Sequence, residues 1–340
     1  MCTKFGALHL APFHASIYAM PLKMIKDLCS PRGFRISLVL LLALGSGCGP
    51  LRRVAVRNVA GVFCGPCGGS NVFVEDNDPE LIRDALPFAL KTYEALLAAD
   101  AQNWDLHLNA AEAFVTYANL FVHEDAQRLE ELDFKRAQYL EKRATKLYLR
   151  GRDYALAGLT LHYTDFEGKL RADPCKALHA LSPKDVPLLF WAAAGWAGAI
   201  GTGVDNMSLV AELPIAEAMM RRALALDEDF EDGVIHEFFI TYEGSRSEAM
   251  GASAERAMEH FHSALEITGG EKAWPFVALA SSVAVRKQDY RMFENLLNKA
   301  LAVDVDAVPQ WRLSNTLAQE RAQWLLDRSA ALFLDVEENK

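Results

Sequence analysis

Apolar residues recur along this chain at helical spacing. Ala216, Met220, Ala223 and Leu224 fall on one face of a helix, because positions i, i+4, i+7 and i+8 share a side. The same spacing returns in 89–97, 257–265 and 293–301, each time with Ala and a large apolar residue on that face. Runs of β-branched residues are few and strict alternation is rare. The pattern predicts an all-α fold.

Helix-breaking residues divide the chain. Asp78 followed by Pro79 is typical of a helix start, since Pro is tolerated in the first turn. From there, breaks fall at Asn103, Pro183, Gly201–Gly203, Gly269–Gly270 and Pro309. We expect roughly ten to twelve helices between residue 78 and the C-terminus.

The repeated face resembles the second helix of a tetratricopeptide repeat, in which a small Ala lets two helices approach closely. Aromatic-rich segments at 104–118, 188–198 and 274–285 lie between the copies and suit first helices. A regular array would step at about 34 residues, whereas Ala223 and Ala264 are 41 apart. These features predict degenerate tetratricopeptide-like repeats in an α-solenoid or bundle. The alternative is a generic Ala-rich bundle.

Trp191 and Trp196 lie five residues apart in an Ala- and Gly-rich segment. Small neighbours such as Ala194 and Gly198 allow close helix packing, or they leave room for an apolar ligand. Both interpretations stay open from the sequence. If a ligand pocket or pore exists, Trp191, Trp196 and Trp274 are the candidates to line it.

The stretch 38-LVLLLALGSGCGP-50 has the parts of a secretory signal. Basic residues precede an apolar run, which spans only nine residues from Ile36 to Leu44, against about 20 needed to cross a bilayer. Small residues follow and end at Cys48, as in a lipobox, where the thiol is acylated and becomes the mature N-terminus. Leu44 lies four residues before Cys48, one more than usual. A buried helix start is the alternative.

This interpretation divides the chain into three parts. Residues 1–47 form a lipoprotein signal peptide, and a start at Met20 or Met24 would give it normal length. Residues 48–77 form the lipidated Cys and a flexible tether rich in Gly, Pro, Asn and Asp. Residues 78–340 form the helical domain. Membrane contact is then expected through lipid alone.

Composition excludes some classes of protein. The formal net charge is −10, so there is no general electrostatic reason to bind nucleic acid. Of the six cysteines, Cys64, Cys67 and Cys175 remain beyond Cys48, and this odd count argues against a disulfide-stapled fold. Hydrophobic residues make up 51% of the chain, which suits a globular body.

Catalytic motifs are weak. The thiols of 64-CGPC-67 match a thioredoxin motif, but Gly68 and Gly69 follow where a helix should start. His107 and His123 lack the i, i+4 spacing of a zinc helix, and we expect His123 at a solvated helix end. No phosphate-binding Gly-rich loop is present. The sequence therefore predicts that the protein is not an enzyme and that it binds neither a metal ion nor a cofactor.

Three segments resemble a known family: 78-DPELIRDALPFALKTYEALLAA-99, 121-FVHEDAQRLEELDFKRAQYLEKRATKLYLRGRDYALAGL-159 and 310-QWRLSNTLAQERAQWLL-326. The family is TatT, the T component of tripartite ATP-independent periplasmic (TRAP) transporters, which are lipoproteins with cryptic tetratricopeptide repeats. The resemblance covers about residues 75–336.

The resemblance implies a homotrimer around a central pore, anchored by acyl chains on Cys48 and facing the periplasm. It also implies a periplasmic substrate-binding protein as partner and handling of an apolar or organic-acid ligand during uptake. Two other hypotheses stay open. One is a repeat adaptor for envelope assembly unrelated to transport, and the other is a thiol-redox enzyme that uses Cys64 and Cys67.

Overall fold

The computed structural model describes residues 72–334. In this range the backbone forms helices joined by short turns and contains no β-strand. The all-α prediction is therefore confirmed. The predicted signal peptide, Cys48 and the 64-CGPC-67 motif lie outside the described residues.

The α-helices are numbered in chain order. Their bounds are α1 (Pro79–Leu97), α2 (Trp104–Tyr117), α3 (Glu124–Leu129), α4 (Phe134–Thr160), α5 (Phe166–Ala172), α6 (Pro174–His179), α7 (Val186–Thr202), α8 (Met207–Val210), α9 (Leu213–Leu226), α10 (Phe230–Ser245), α11 (Ala254–Thr268), α12 (Trp274–Leu279), α13 (Val285–Lys287), α14 (Tyr290–Leu301), α15 (Arg312–Asp327) and α16 (Ser329–Leu332). The π-helical segments Ala118–His123 and Ala280–Ala284 join α2 to α3 and α12 to α13. Single 3₁₀ turns occupy Pro183–Asp185, Glu248–Met250 and Pro309–Trp311.

The helix ends follow the sequence signals. The Asp78 side chain accepts a hydrogen bond from the Leu81 backbone N–H and caps α1, and Asn103 caps α2 in the same way. Gly269 follows α11 in the left-handed region at φ 63°, a conformation that costs Gly little. The predicted breaks at Asn103 and Gly269–Gly270 are therefore confirmed.

The recurring apolar face is the packing face of four helices. Its residues are buried, wholly or in part, in every copy: Ala89, Tyr93, Leu96 and Leu97 in α1; Ala216, Met220, Ala223 and Leu224 in α9; Ala257, Phe261, Ala264 and Leu265 in α11; Phe293, Leu297, Ala300 and Leu301 in α14. The helical-repeat prediction is supported by this burial.

Helices α4 and α7 pack backbone against backbone. A Cβ atom on Gly195 of α7 would lie 2.9 Å from the Tyr148 carbonyl oxygen and 3.0 Å from the Arg152 backbone nitrogen, both in α4. Gly198 likewise lies against the ring of Tyr148, where a Cβ would be 2.5 Å from a ring carbon. The small residues of this part of α7 therefore serve close helix packing.

The last long helix packs against the first ones. The Leu313 backbone N–H at the start of α15 donates to the Val74 carbonyl at 3.0 Å. Further along α15, Arg321 Nη1 donates to both carboxylate oxygens of Glu124 in α3, at 3.1 and 3.0 Å. The N- and C-terminal parts of the described body thus meet along a contact that we call the seam.

Three guanidinium groups lie close to the ring of one tryptophan at this seam. The guanidinium carbons of Arg321, Arg328 and Arg128 lie 4.3, 4.5 and 5.6 Å from a ring centroid of Trp324. Arg128 also binds Glu124, at 2.9 Å. Cation–π attraction and ion pairing therefore act on the same few side chains.

Gly195→Ala should destabilise the fold by about 1–3 kcal/mol, because the new methyl group meets backbone atoms that cannot move aside. Gly201→Ala is the matched control, since nothing lies within 4 Å of its Cβ position. Urea unfolding followed by circular dichroism measures both. Equal stability of the two variants would contradict the close packing of α4 and α7.

Arg321→Ala should cost about 2 kcal/mol, because Glu124 keeps only its ion pair with Arg128 and Trp324 loses one of its guanidinium contacts. Lys299→Ala, an exposed cation on α14, should change the free energy of unfolding by less than about 0.5 kcal/mol. Thermal unfolding compares them. An Arg321 variant as stable as the Lys299 variant would mean that the seam contributes little.

Candidate functional site

An acidic cluster forms where α2, the start of α10 and the residues before α12 meet. It contains Glu112 of α2 and Glu231, together with the buried Lys272, whose ammonium lies 2.7 Å from a Glu237 carboxylate oxygen. The charge on Glu112 acts directly on Glu231. The structure therefore brings together two carboxyls that are 119 residues apart in the sequence.

A strained turn presents Glu231 to this cluster. Glu231, Asp232 and Gly233 all lie in the left-handed region, with φ of 44°, 56° and 81°. Such φ values are costly for residues other than Gly and persist only where other contacts hold them. Here Trp311 Nε1 donates to the Asp232 carboxylate at 2.8 Å, and Lys272 Nζ donates to the Asp232 carbonyl at 3.4 Å.

The pKa values in the cluster are displaced upwards. Burial raises the pKa of Glu112 to about 7. Burial, followed by the charge of Glu112, raises the pKa of Glu231 to about 8. Glu231 is itself exposed, and contact with water weakens this shift. Both carboxyls should therefore lose their protons at a higher pH than ordinary surface carboxyls.

The sequence did not single out Glu112, Glu231 or Lys272. The turn residues 231-EDG-233 were the available signal, since Asp and Gly tolerate positive φ. That signal marks a turn but does not indicate which distant side chain the turn will face.

The three predicted ligand-lining tryptophans lie in different surroundings. Trp196 is fully buried, with its Nε1 donating to Glu212 at 2.8 Å and the guanidiniums of Arg152 and Arg171 over its ring. Trp191 and Trp274 are partly exposed and pack against the core. The Trp191 Nε1 is buried without a hydrogen-bond partner. A ligand-lining role for these residues stays a prediction.

His123 is not at a solvated helix end, so that prediction was wrong. It lies at the end of the π-helical segment, inside a continuous helical path from α2 to α3, with its Nε2 3.1 Å from Gln127 Nε2. Burial, together with the positive charge of Arg321, lowers the pKa of His123 to about 4. Its ring is therefore neutral at physiological pH. The His123 ring lies next to the seam, close enough to Arg321 for that charge to act on it.

An open groove of about 400 Å³ lies on the outside of α4. It is mostly apolar and lined by Ala101, His107, Asp153, Leu156, Ala157, Thr160, Leu161 and Glu167. His107 Nε2 lies 3.1 Å from the Ala101 carbonyl oxygen, which can only accept, so this nitrogen carries the hydrogen. His107 Nδ1 is therefore an acceptor, and it is buried without a partner.

Residues 72–334 contain neither a membrane-spanning helix nor a cluster of metal ligands. None of the helices there combines the length and apolar character needed to cross a bilayer. No group of three or more His, Cys, Asp or Glu side chains is placed to hold a metal ion in that range. The described Cys175 is an exposed free thiol.

Comparison with known proteins identifies the family. The sequence profile of the TAtT family, described as the TRAP transporter T-component, matches residues 75–333. The chain belongs to the TRAP transporter T-component family. An uncharacterized protein of Treponema pallidum (strain Nichols) is 29% identical over 270 residues, which cover 78% of this chain and 84% of that protein.

The family match covers α1 to α16 and thus the whole described body. The resemblance seen in the sequence is confirmed. A T component is part of a transport system, and the family is associated with transport and not known for catalysis. The match therefore indicates that the chain associates with other components of a transporter. It does not identify the surface that each of them contacts.

The raised carboxyl pKa values predict a fall in stability as pH rises. The folded state binds protons at Glu112 and Glu231 more tightly than the unfolded state, whose value is 4.5. This stability is therefore fully present below about pH 4.5 and lost as pH rises through about 7 to 8. Each kcal/mol lost should lower Tm by about 2–4 °C.

The double variant Glu112→Gln, Glu231→Gln should flatten this part of the Tm–pH curve, since neither amide ionises. Glu320→Gln, at an exposed position on α15, should leave the curve unchanged. Calorimetry from pH 5 to 8.5 makes the comparison. A double variant that follows the wild-type curve would show that these carboxyls do not control it.

Proposed function

We propose that this T component is a periplasm-facing lipoprotein scaffold that holds a substrate-binding protein near the membrane part of a TRAP transporter. The observation that carries the proposal is the family match over residues 75–333. A helical-repeat body offers an extended surface for another protein, which suits a scaffold better than a small enzyme. The adaptor and thiol-redox alternatives have no comparable support.

The anchor in this proposal is lipid on Cys48. A basic segment, a short apolar run and small residues precede this thiol, as in lipoprotein signals. The segment that follows, to residue 77, would tether the helical body to the membrane. Stable attachment takes two or more acyl chains.

The proposal includes a homotrimer and a ligand of apolar or organic-acid type. Support for the ligand comes from Trp191 and Trp274, whose indoles are partly exposed beside the core. Support for the trimer comes from the family resemblance alone. A ligand handed between the T component and a substrate-binding protein would need an apolar surface of this kind.

Affinity purification from detergent-solubilised envelopes tests the scaffold role. The tagged full chain should recover a periplasmic solute-binding protein in near-equal amount. Cys48→Ala should move the chain to the soluble fraction and abolish labelling by radioactive palmitate, while recovery of the binding protein persists. Recovery of envelope-assembly proteins without any solute-binding protein would contradict the proposal.

A further inference from the structure

The last described residues cross the start of α14 as an extended segment. Phe333 follows α16 with φ −122° and ψ 137°, which is extended backbone. Phe333 is only 5% exposed, whereas its neighbour Leu334 is 89% exposed. One inserted aromatic ring therefore anchors this segment. We call residues 332–334 the tail.

The ring of Phe333 enters a pocket formed by two aromatic side chains of α14. Its centroid lies 5.5 Å from that of Tyr290 and 4.9 Å from that of Phe293, both in edge-to-face arrangements. Such pairs add a directional attraction to the burial of apolar surface. The Asp289 side chain caps this helix by accepting from the Met292 backbone N–H at 2.9 Å. The pocket is therefore built on a capped first turn and accepts a planar ring.

One side chain binds the tail backbone on both sides of Phe333. Gln288 Nε2 donates to the Leu332 carbonyl oxygen at 3.0 Å, and the Leu334 backbone N–H donates to Gln288 Oε1 at 2.9 Å. Nε2 also donates to the Val285 carbonyl oxygen at 2.9 Å, which orients the amide. The two bonds to the tail use groups that an extended peptide of almost any sequence offers. Backbone hydrogen bonds with a pocket for one side chain are a recurring mode of peptide recognition.

Gln288 holds its position in an unfavourable backbone conformation. Its φ is 56°, in the left-handed region, which is uncommon for a residue with a side chain. Gly is the usual residue at such a helix end, and Gly269 takes it after α11 at φ 63°. Strained residues persist where other contacts hold them. Here the amide that Gly lacks makes both bonds to the tail, so the grip on the tail accounts for the choice of residue.

The residues beside Phe333 bury little surface. Ala330, Ala331 and Leu334 are exposed, and no residue of α16 is fully buried. Release of the tail therefore breaks one aromatic anchor and two hydrogen bonds, and it leaves α14 packed on α15. Segments at chain ends with few buried contacts are the first to open. The pocket is thus positioned to exchange its occupant.

We propose that Gln288, Tyr290 and Phe293 form a peptide-binding site that recognises an aromatic ring in an extended segment, and that the tail occupies this site in cis. The partner is an extended segment of another protein that carries a Phe-sized ring between two residues with free backbone groups. The tail keeps the pocket filled until that segment displaces it. The bound tail identifies the chemistry of the partner, because it shows what the site accepts. This inference does not depend on the transporter role.

A second copy of the chain is the other candidate occupant. Its tail has the same sequence and would gain no contact that the chain's own tail lacks. The chain's own tail also has an effective concentration of about millimolar, because it is joined to the site by a short segment. A different protein can overcome this advantage by making further contacts beside the pocket. The identity of the two tails therefore favours a separate partner.

The pocket test opens the site on the full chain. A fluorescein-labelled peptide of the chain's own end, 329-SAALFLDVEENK-340, reports free pockets by its anisotropy. Its Kd for the Phe333→Ala variant should be at least tenfold lower than for wild type, whose tail competes. Leu334→Ala, at the exposed neighbour, is the matched control and should behave as wild type. The same peptide carrying Phe333→Ala should bind neither protein.

The second test removes the grip on the backbone by a substitution that also relieves strain. Adding Gln288→Gly to Phe333→Ala should raise the Kd for the peptide about tenfold, because both backbone hydrogen bonds are lost. The Tm should stay equal or rise, since Gly adopts a φ of 56° readily. A residue that only ends a helix would not change peptide affinity when Gly replaces it.

Wild-type protein gives a further check that needs no substitution. Excess peptide should displace the tail, so hydrogen exchange at the Leu334 amide, which donates to Gln288, should become faster. Exchange is followed by mass spectrometry of the C-terminal fragment. This measurement decides the matter if Phe333→Ala lowers the Tm too far for a binding assay.

Three results would overturn the inference. Equal peptide affinity for wild type and Phe333→Ala, together with unchanged exchange in the wild-type tail, would show that the site does not exchange its occupant. Peptide affinity that is unaffected by Gln288→Gly would remove the backbone recognition. Wild-type oligomers at micromolar concentration that disappear in Phe333→Ala, measured by light scattering, would assign the pocket to the tail of a second copy.

Discussion

The contact between Arg321 and Glu124 ties the end of this helical body to its beginning. In an open array of repeats, each terminal repeat exposes an apolar face that needs a polar cap. Here α15 lies against the N-terminal elements, and its Leu317 joins the core of α1 to α10. Arg321 and Glu124 are largely shielded from water, and Arg321 Nη1 makes charge-assisted hydrogen bonds with both oxygens of the carboxylate.

Helices α7 and α4 show how packing on one side of a helix positions side chains on the other. Helix α7 is buried on most sides and accepts α4 through glycines, which fixes α4 in place. Because α4 is 27 residues long, it can pack one side against α7 and α2 while the opposite side stays exposed. Five of the eleven exposed residues of α4 are cationic and one is anionic, so rigid packing on one side positions mainly positive charge on the other.

The parts of the fold that depend on neighbouring residues could be predicted from the sequence. The Asp78 cap, the breaks at Asn103 and Gly269 and the buried Ala face of α11 follow from spacing and local hydrogen bonding. Contacts between distant residues could not be predicted in this way. Glu112 and Glu231 look like ordinary helix-surface carboxyls, and only the turn at 231–233 and the packing of α10 bring them together. His123 was misplaced because a π-helical segment continues the helix where polar residues suggested its end.

The π-helical segment Ala118–His123 also has a consequence for how the sequence can change. A π turn accommodates one more residue than an α turn, so it records the net insertion of a single residue into an otherwise regular helix. Deleting one residue there would turn the π turn into an α turn and leave α3 close to its present orientation, so Glu124 would still face Arg321. Deleting a residue from a regular turn of α2 instead would rotate α3 by about 100° and point Glu124 away from Arg321. The helix should therefore tolerate a single-residue deletion within this segment better than one elsewhere in α2.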